Sequence, residues 1–252
     1  MAPVKRKRRA LETPSVPRLL VPRGAEFRPE WIDFQRGIRV GRLDPHQRIT
    51  RILKAALESG FGEPFVTVRW GRGVYWQWIG WFPRANRLAK PLSSHVSFGC
   101  AKYFISMARE ESAFKAGMQV ERGFLQAPDE YPESELRDDW DWHRLLAQLK
   151  PNGQLERLLR RLVRRDGFHL FAGNWAAYRE VTPRDFQGAR QLRRMLTEAP
   201  PDDWCGFQLF YPLREEEVRS MTGVEVIEAI LAVFSEVTPI MNRCMHIRLG
   251  PR

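Results

Sequence analysis

The residues with the clearest chemical potential lie in "RWGRGVYWQWIGWFPR", residues 69–84, which hold Trp70, Trp76, Trp78 and Trp81, four of the chain's nine tryptophans, together with Arg69, Arg72 and Arg84. A guanidinium forks onto phosphate oxygens and its plane stacks on a base. An exposed indole stacks on an unpaired base for about 1–3 kcal/mol. The combination suits a nucleic-acid backbone with unstacked bases. The same residues also suit a core covered by arginines. In a strand, alternation sends Trp76 and Trp78 to one side and Tyr75, Gln77, Ile79 and Trp81 to the other. One face can then be core. The opposite face, the Gly71–Gly73 turn and the "PRANRLAKP" loop, with Arg84, Arg87 and Lys90, form the candidate site.

Charge is segregated along the chain. Residues 64–109 contain no Asp or Glu, but seven cations and ten aromatics. A nearby carboxylate would repel a phosphate backbone, so its absence suits binding. Residues 110–141 reverse the balance, with ten acids against three bases, and residues 150–194 carry eleven bases against four acids. The segment 154–165 reads as a helix whose Arg160, Arg161 and Arg164, beside Arg157 and Arg165, offer either a solvated face or a second phosphate-contacting ridge. Arg193 and Arg194 extend it.

Catalytic patterns are sparse. The five histidines show neither HExxH nor HxH spacing, and no G-x-S-x-G elbow occurs. "DDWDWH" could gather Asp139, Asp141 or His143 at a divalent metal, but acids at a helix start are explained by the helix dipole. A restriction-type nuclease needs two acids and a lysine at a sheet edge, and Glu111 with Lys115, or Glu121 with Lys102, fits that pattern loosely. His95 reads as a half-buried strand residue. Cys100, Cys205 and Cys244 form no CxxC pair, which argues against disulfides and against a cysteine zinc site. No metal and no cofactor is indicated.

The elements that must position these residues follow from periodicity. Residues 1–30 read as a flexible basic arm, with Lys5, Arg6, Lys7, Arg8 and Arg9 and five prolines. A helix capped by Asp44 spans 44–59. Four strands follow, 64–70, 74–82, 94–108 and 113–125, as an antiparallel meander. Helices at 138–149, 154–165, 182–196 and 222–237 alternate with strands at 168–173 and 204–213, and Pro239 stops the last helix. The expected fold is α+β: a mainly antiparallel sheet with helices packed mostly on one face, in a single domain over 31–252.

A net charge of +11 points to polyanionic partners, nucleic acid first, although 34 arginines against 7 lysines is a bias that composition alone can produce. The apolar cluster Leu19–Val21 is too short for a secretory leader and no run reaches the ~20 residues of a membrane span. A cytoplasmic location and no membrane partner are expected. The favoured function is a nucleic-acid-associated binding protein, for DNA or RNA, without chemistry of its own. A metal-dependent nuclease, or a protein-interaction subunit of a larger assembly, are the alternatives.

Overall fold

Alternating apolar side chains in the middle of the chain build one large sheet, and the amphipathic segments after it cover one side. A computed structural model describes residues 16–94, 97–108, 113–174 and 179–250. The Lys5–Arg9 run, His95, Arg109 and Glu111 lie outside these residues. Nine strands form the sheet: β1 (Ile32–Asp33), β2 (Gly37–Arg39), β3 (Phe65–Arg72), β4 (Tyr75–Pro83), β5 (Lys102–Ala108), β6 (Ala113–Gly123), β7 (His169–Asn174), β8 (Glu180–Val181) and β9 (Cys205–Arg214). Their order is β1-β2-β4-β5-β6-β9-β7-β8, with β3 paired to β4, and every paired strand is antiparallel. Among the described residues the seven α-helices are α1 (Ile49–Phe61), α2 (Arg84–Leu88), α3 (Asp141–Gln148), α4 (Gln154–Arg164), α5 (Ala189–Thr197), α6 (Glu215–Ser220) and α7 (Gly223–Cys244). The fold is therefore α+β, and the expected meander is present as β3 to β6. Among the described residues no helix is long and apolar enough to cross a membrane.

The two faces of the sheet differ in chemistry. On one, Tyr103, Met118, Val120, Phe207 and Leu209 share a cluster with Ile230, Phe234 and Met241 of α7. Tyr103 stacks on Phe234 at 4.8 Å and shares a 2.7 Å hydrogen bond with Thr238. On the other, Phe104, Phe171 and Phe210 form a small cluster with Trp78, beside the buried polar side chains of Lys102, Lys115, Gln119, Glu121 and Gln208. Gln119 accepts from Trp78 Nε1 at 3.1 Å and from Gln208 Nε2 at 2.8 Å, and Lys102 pairs with Glu121. Buried polar groups need such partners, because an unpaired one costs about 1–3 kcal/mol.

Several boundaries differ from those the sequence suggests. Helix α1 begins at Ile49, because Asp44–Arg48 closes a separate turn in which Arg48 Nε donates to Leu43 O at 2.6 Å. Helix α5 begins at Ala189; Thr182 and Asp185 close their own turn, and Gly188, at φ 124°, sits outside helical geometry. Pro239 does not stop α7. The apolar face continues through Ile240, Met241 and Cys244, and its burial outweighs one lost backbone bond. The expected arm also packs over part of its length: Leu19 and Phe27 are buried in the main core. Phe27 meets Trp31 edge-on at 5.7 Å.

One buried ionic network ties α2, α3 and the start of β5 to the segment after α7. Asp141, at the start of α3, lies 2.8 Å from the Lys90 ammonium. It accepts from Asn86 Nδ2 and from the Ala101 amide, each at 2.7 Å. Lys90 donates to Asn86 O and Oδ1, and the His246 amide donates to the same Oδ1 at 3.0 Å. Burial raises the Asp141 pKa, and Lys90 and the donors oppose that shift. Removing one partner leaves an uncompensated buried charge. Lys90→Met is therefore expected to cost about 3–5 kcal/mol in urea unfolding, while Arg84→Ala, on the exposed start of α2, is expected to cost under about 0.5 kcal/mol. Equal losses would mean that the network carries no special weight.

Candidate nucleic-acid interface

Two exposed arginines flank an exposed tryptophan at the tip of the β3–β4 hairpin. Gly73, at φ 66°, makes the turn that a side chain would strain. Gly71, at φ 141°, permits close approach, since a Cβ there would sit 2.8 Å from Trp76 Cα. Among the described residues β3 pairs only with β4, so it is an edge strand. Its outer end carries Arg69, Trp70 and Arg72, all exposed, with Trp70 at 70%. Among the described residues neither arginine forms an ion pair.

A β-bulge decides where the tryptophans point. Trp70 pairs with Trp78, but the next residue, Gly71, pairs with Trp76, so Gln77 is skipped. The extra residue reverses the alternation. Trp78 joins the Phe104–Phe171–Phe210 cluster, whereas Trp76 packs against the main core. The expectation that Trp76 and Trp78 share a face is thus corrected. Both are partly buried. The Arg69 guanidinium lies 4.3 Å from the Trp76 ring centroid. Trp81 is fully buried, with Nε1 donating to Thr50 O at 3.3 Å; it belongs to the core and leaves the candidate site.

The β1–β2 hairpin brings further arginines alongside, which sequence reading misses. Arg39 pairs with Tyr75 across β2–β4, and Arg36 lies 5.8 Å from the Tyr75 ring. Arg42, exposed, follows Gly41, whose amide donates to Val74 O at 3.0 Å. The acid at this hairpin, Asp33, is occupied by the Gln35 and Arg36 amides and lies 3.7 Å from the Arg36 guanidinium. Two segments about 35 residues apart in sequence meet only through strand pairing. No local spacing reveals that.

The other candidates are distributed differently. Arg84 is exposed. Arg87 donates to Ser94 O at 2.5 Å, and Lys90 is buried in the Asp141 network, so neither offers a free charge. The α4 arginines are likewise occupied. Arg160 pairs with Glu156, Arg161 with Glu236 and Asp166, and Arg164 donates to Phe186 O at 2.6 Å. The expected second ridge is therefore largely an internal set of contacts. Glu121 and Lys102 do meet, but as a buried pair. Asp139 is spent on the loop, accepting from the Leu92 and Ser93 amides and from Ser93 Oγ. Among the described residues no group of three His, Cys, Asp or Glu side chains could hold a metal ion. Burial pushes the Cys100 and Cys205 thiols up to about 11, which leaves them unreactive at neutral pH.

No protein-family model matches the chain, and no curated protein matches it.

The placements separate the tryptophans energetically. Trp81→Ala should cost about 3–5 kcal/mol of stability in urea denaturation. Trp70→Ala should cost less than about 0.5 kcal/mol, as an exposed side chain does. A large loss for Trp70→Ala would show that its ring is part of the packed structure and not a free stacking surface.

Proposed function

We propose that the chain is a nucleic-acid-binding protein that holds single-stranded DNA or RNA at the β3–β4 hairpin tip. The observation that carries this reading is Trp70, 70% exposed between two exposed arginines on an edge strand. Leaving a large indole in water forgoes about 1.5–3 kcal/mol of burial, so its position favours a partner that covers it. Arg69 and Arg72 neutralise phosphates on either side of the stacked base, and Arg42 extends the track. Stacking is tolerant of base identity, because every base has a π-face. The reading therefore implies little sequence preference. It involves no catalytic step.

The test is a titration of a labelled single strand at several salt concentrations. Three phosphate contacts give a slope of log affinity against log salt of roughly −2, at about −0.7 per contact. Arg69→Gln combined with Arg72→Gln should bring the slope to roughly −0.7. Trp70→Ala should weaken binding by about 1–3 kcal/mol at every salt concentration, leaving the slope nearly unchanged. Unaltered affinity and slope in both variants would remove the hairpin tip from the site.

A further inference from the structure

A second cationic feature lies where α3 meets the chain that follows α7. It is a pocket of about 320 Å³ lined by Arg144, Gln148, Asn242, Arg243, His246 and Arg248, together with Met245 and Ile247. The lining holds three arginines and no carboxylate. Arg144 and Arg248 are exposed, and among the described residues neither forms an ion pair. Arg243 is half-buried, and its Nε is buried without a hydrogen-bond partner among the described residues. Burial, then the charge of Arg248 and more weakly that of Arg157, hold the Arg243 pKa below the usual arginine value. The α4 arginines behave differently, since each is matched by a carboxylate or a carbonyl. The group in this pocket is left without internal compensation.

The walls are held in place independently of any ligand. Asn242 Nδ2 donates to Leu249 O at 2.7 Å, and the Leu249 amide donates back to Asn242 Oδ1 at 2.8 Å. His246 is fixed through its amide to Asn86 Oδ1 and through Nε2–H to Asp139 O, each at 3.0 Å. The acid in reach of this group, Asp141, lies 3.9 Å from His246 Nε2 but is fully buried and paired with Lys90. It does not neutralise the arginines. Guanidiniums that line one concavity match an anion with several oxygens, and forked donors favour phosphate geometry.

We propose that this pocket binds a phosphate group, free or as a phosphomonoester, with Arg243 as the half-buried anchor and Arg144 and Arg248 reaching in from the rim. The site shares no residue with the hairpin tip and does not rest on the single-strand reading.

Isothermal titration of the full chain with inorganic phosphate, against chloride at equal ionic strength, tests it. Saturable one-site binding is expected. The exposed pair Arg144→Gln with Arg248→Gln should weaken it by about tenfold or more, as should Arg243→Gln. Arg69→Gln with Arg72→Gln should leave it unchanged. A 5′-phosphorylated dinucleotide that binds more tightly than inorganic phosphate would identify the source as a nucleic-acid end. Equal affinity would identify a small free phosphate. Because Arg243→Gln could disturb the fold, the exposed double variant decides. No saturable binding by the folded wild type, or unchanged binding by that double variant, would overturn the proposal.

Discussion

The Lys90–Asp141 pair is the constraint on which much of the molecule depends. Asp141 starts α3, Lys90 and Asn86 follow the end of β4, Ala101 precedes β5, and His246 follows α7. Three other segments of the chain therefore meet around the buried Asp141 carboxylate. A buried ion pair seldom adds net stability over an apolar packing, yet losing one partner is costly. Such a pair specifies geometry more than it contributes energy. Here it fixes how α2 leaves the sheet. It also sets where the chain turns after α7, and so shapes the walls of the cationic pocket.

A second constraint is the division of cations between those with internal partners and those without. Lys102, the α4 arginines and Lys90 are consumed by carboxylates or carbonyls. Arg122, with Nη1 and Nη2 donating to the carbonyls of Ala199, Pro200 and Asp203, is a structural bolt across a bulge in β6. Among the described cations without an ion pair, one group lies at the hairpin tip and another lines the pocket at the end of α7. A net charge of +11 is therefore a poor guide to function until the paired charges are subtracted. The aromatic rings separate in the same way. Trp81 and Trp140 are core, Trp78 is a hydrogen-bonded member of the second sheet face, and Trp70 stands in water.

Much of the fold was legible because burial imposes strong periodicity. The β3–β6 meander follows from alternation and short turns. The cap of α7, Thr222 with Glu225, follows from its capping box. Elements decided by tertiary packing were less legible. Strands β1, β2 and β8 are two or three residues long, too short for any period to register. The passage of α7 through Pro239 depends on what its far end packs against, which no local rule reports. The site was legible in part. The 69–84 segment does contain the hairpin tip, but the skipped Gln77 reverses the expected orientation of Trp76. Lys90 looks like a loop cation until Asp141, fifty-one positions later, is placed beside it. Trp70 was within view, between Arg69 and Arg72 at the end of a strand beside a glycine turn. Only the edge position of β3 distinguishes it from the other tryptophans.

The central claim is that one exposed indole at the hairpin tip receives an unpaired base. Photocrosslinking to a single strand carrying 5-iodouracil, followed by mass spectrometry of the peptides, tests this contact directly. A base stacked on Trp70 should give an adduct on the peptide containing residues 69–72, and that adduct should vanish in Trp70→Ala. Adducts confined to other segments, with none at residues 69–72, would contradict the account.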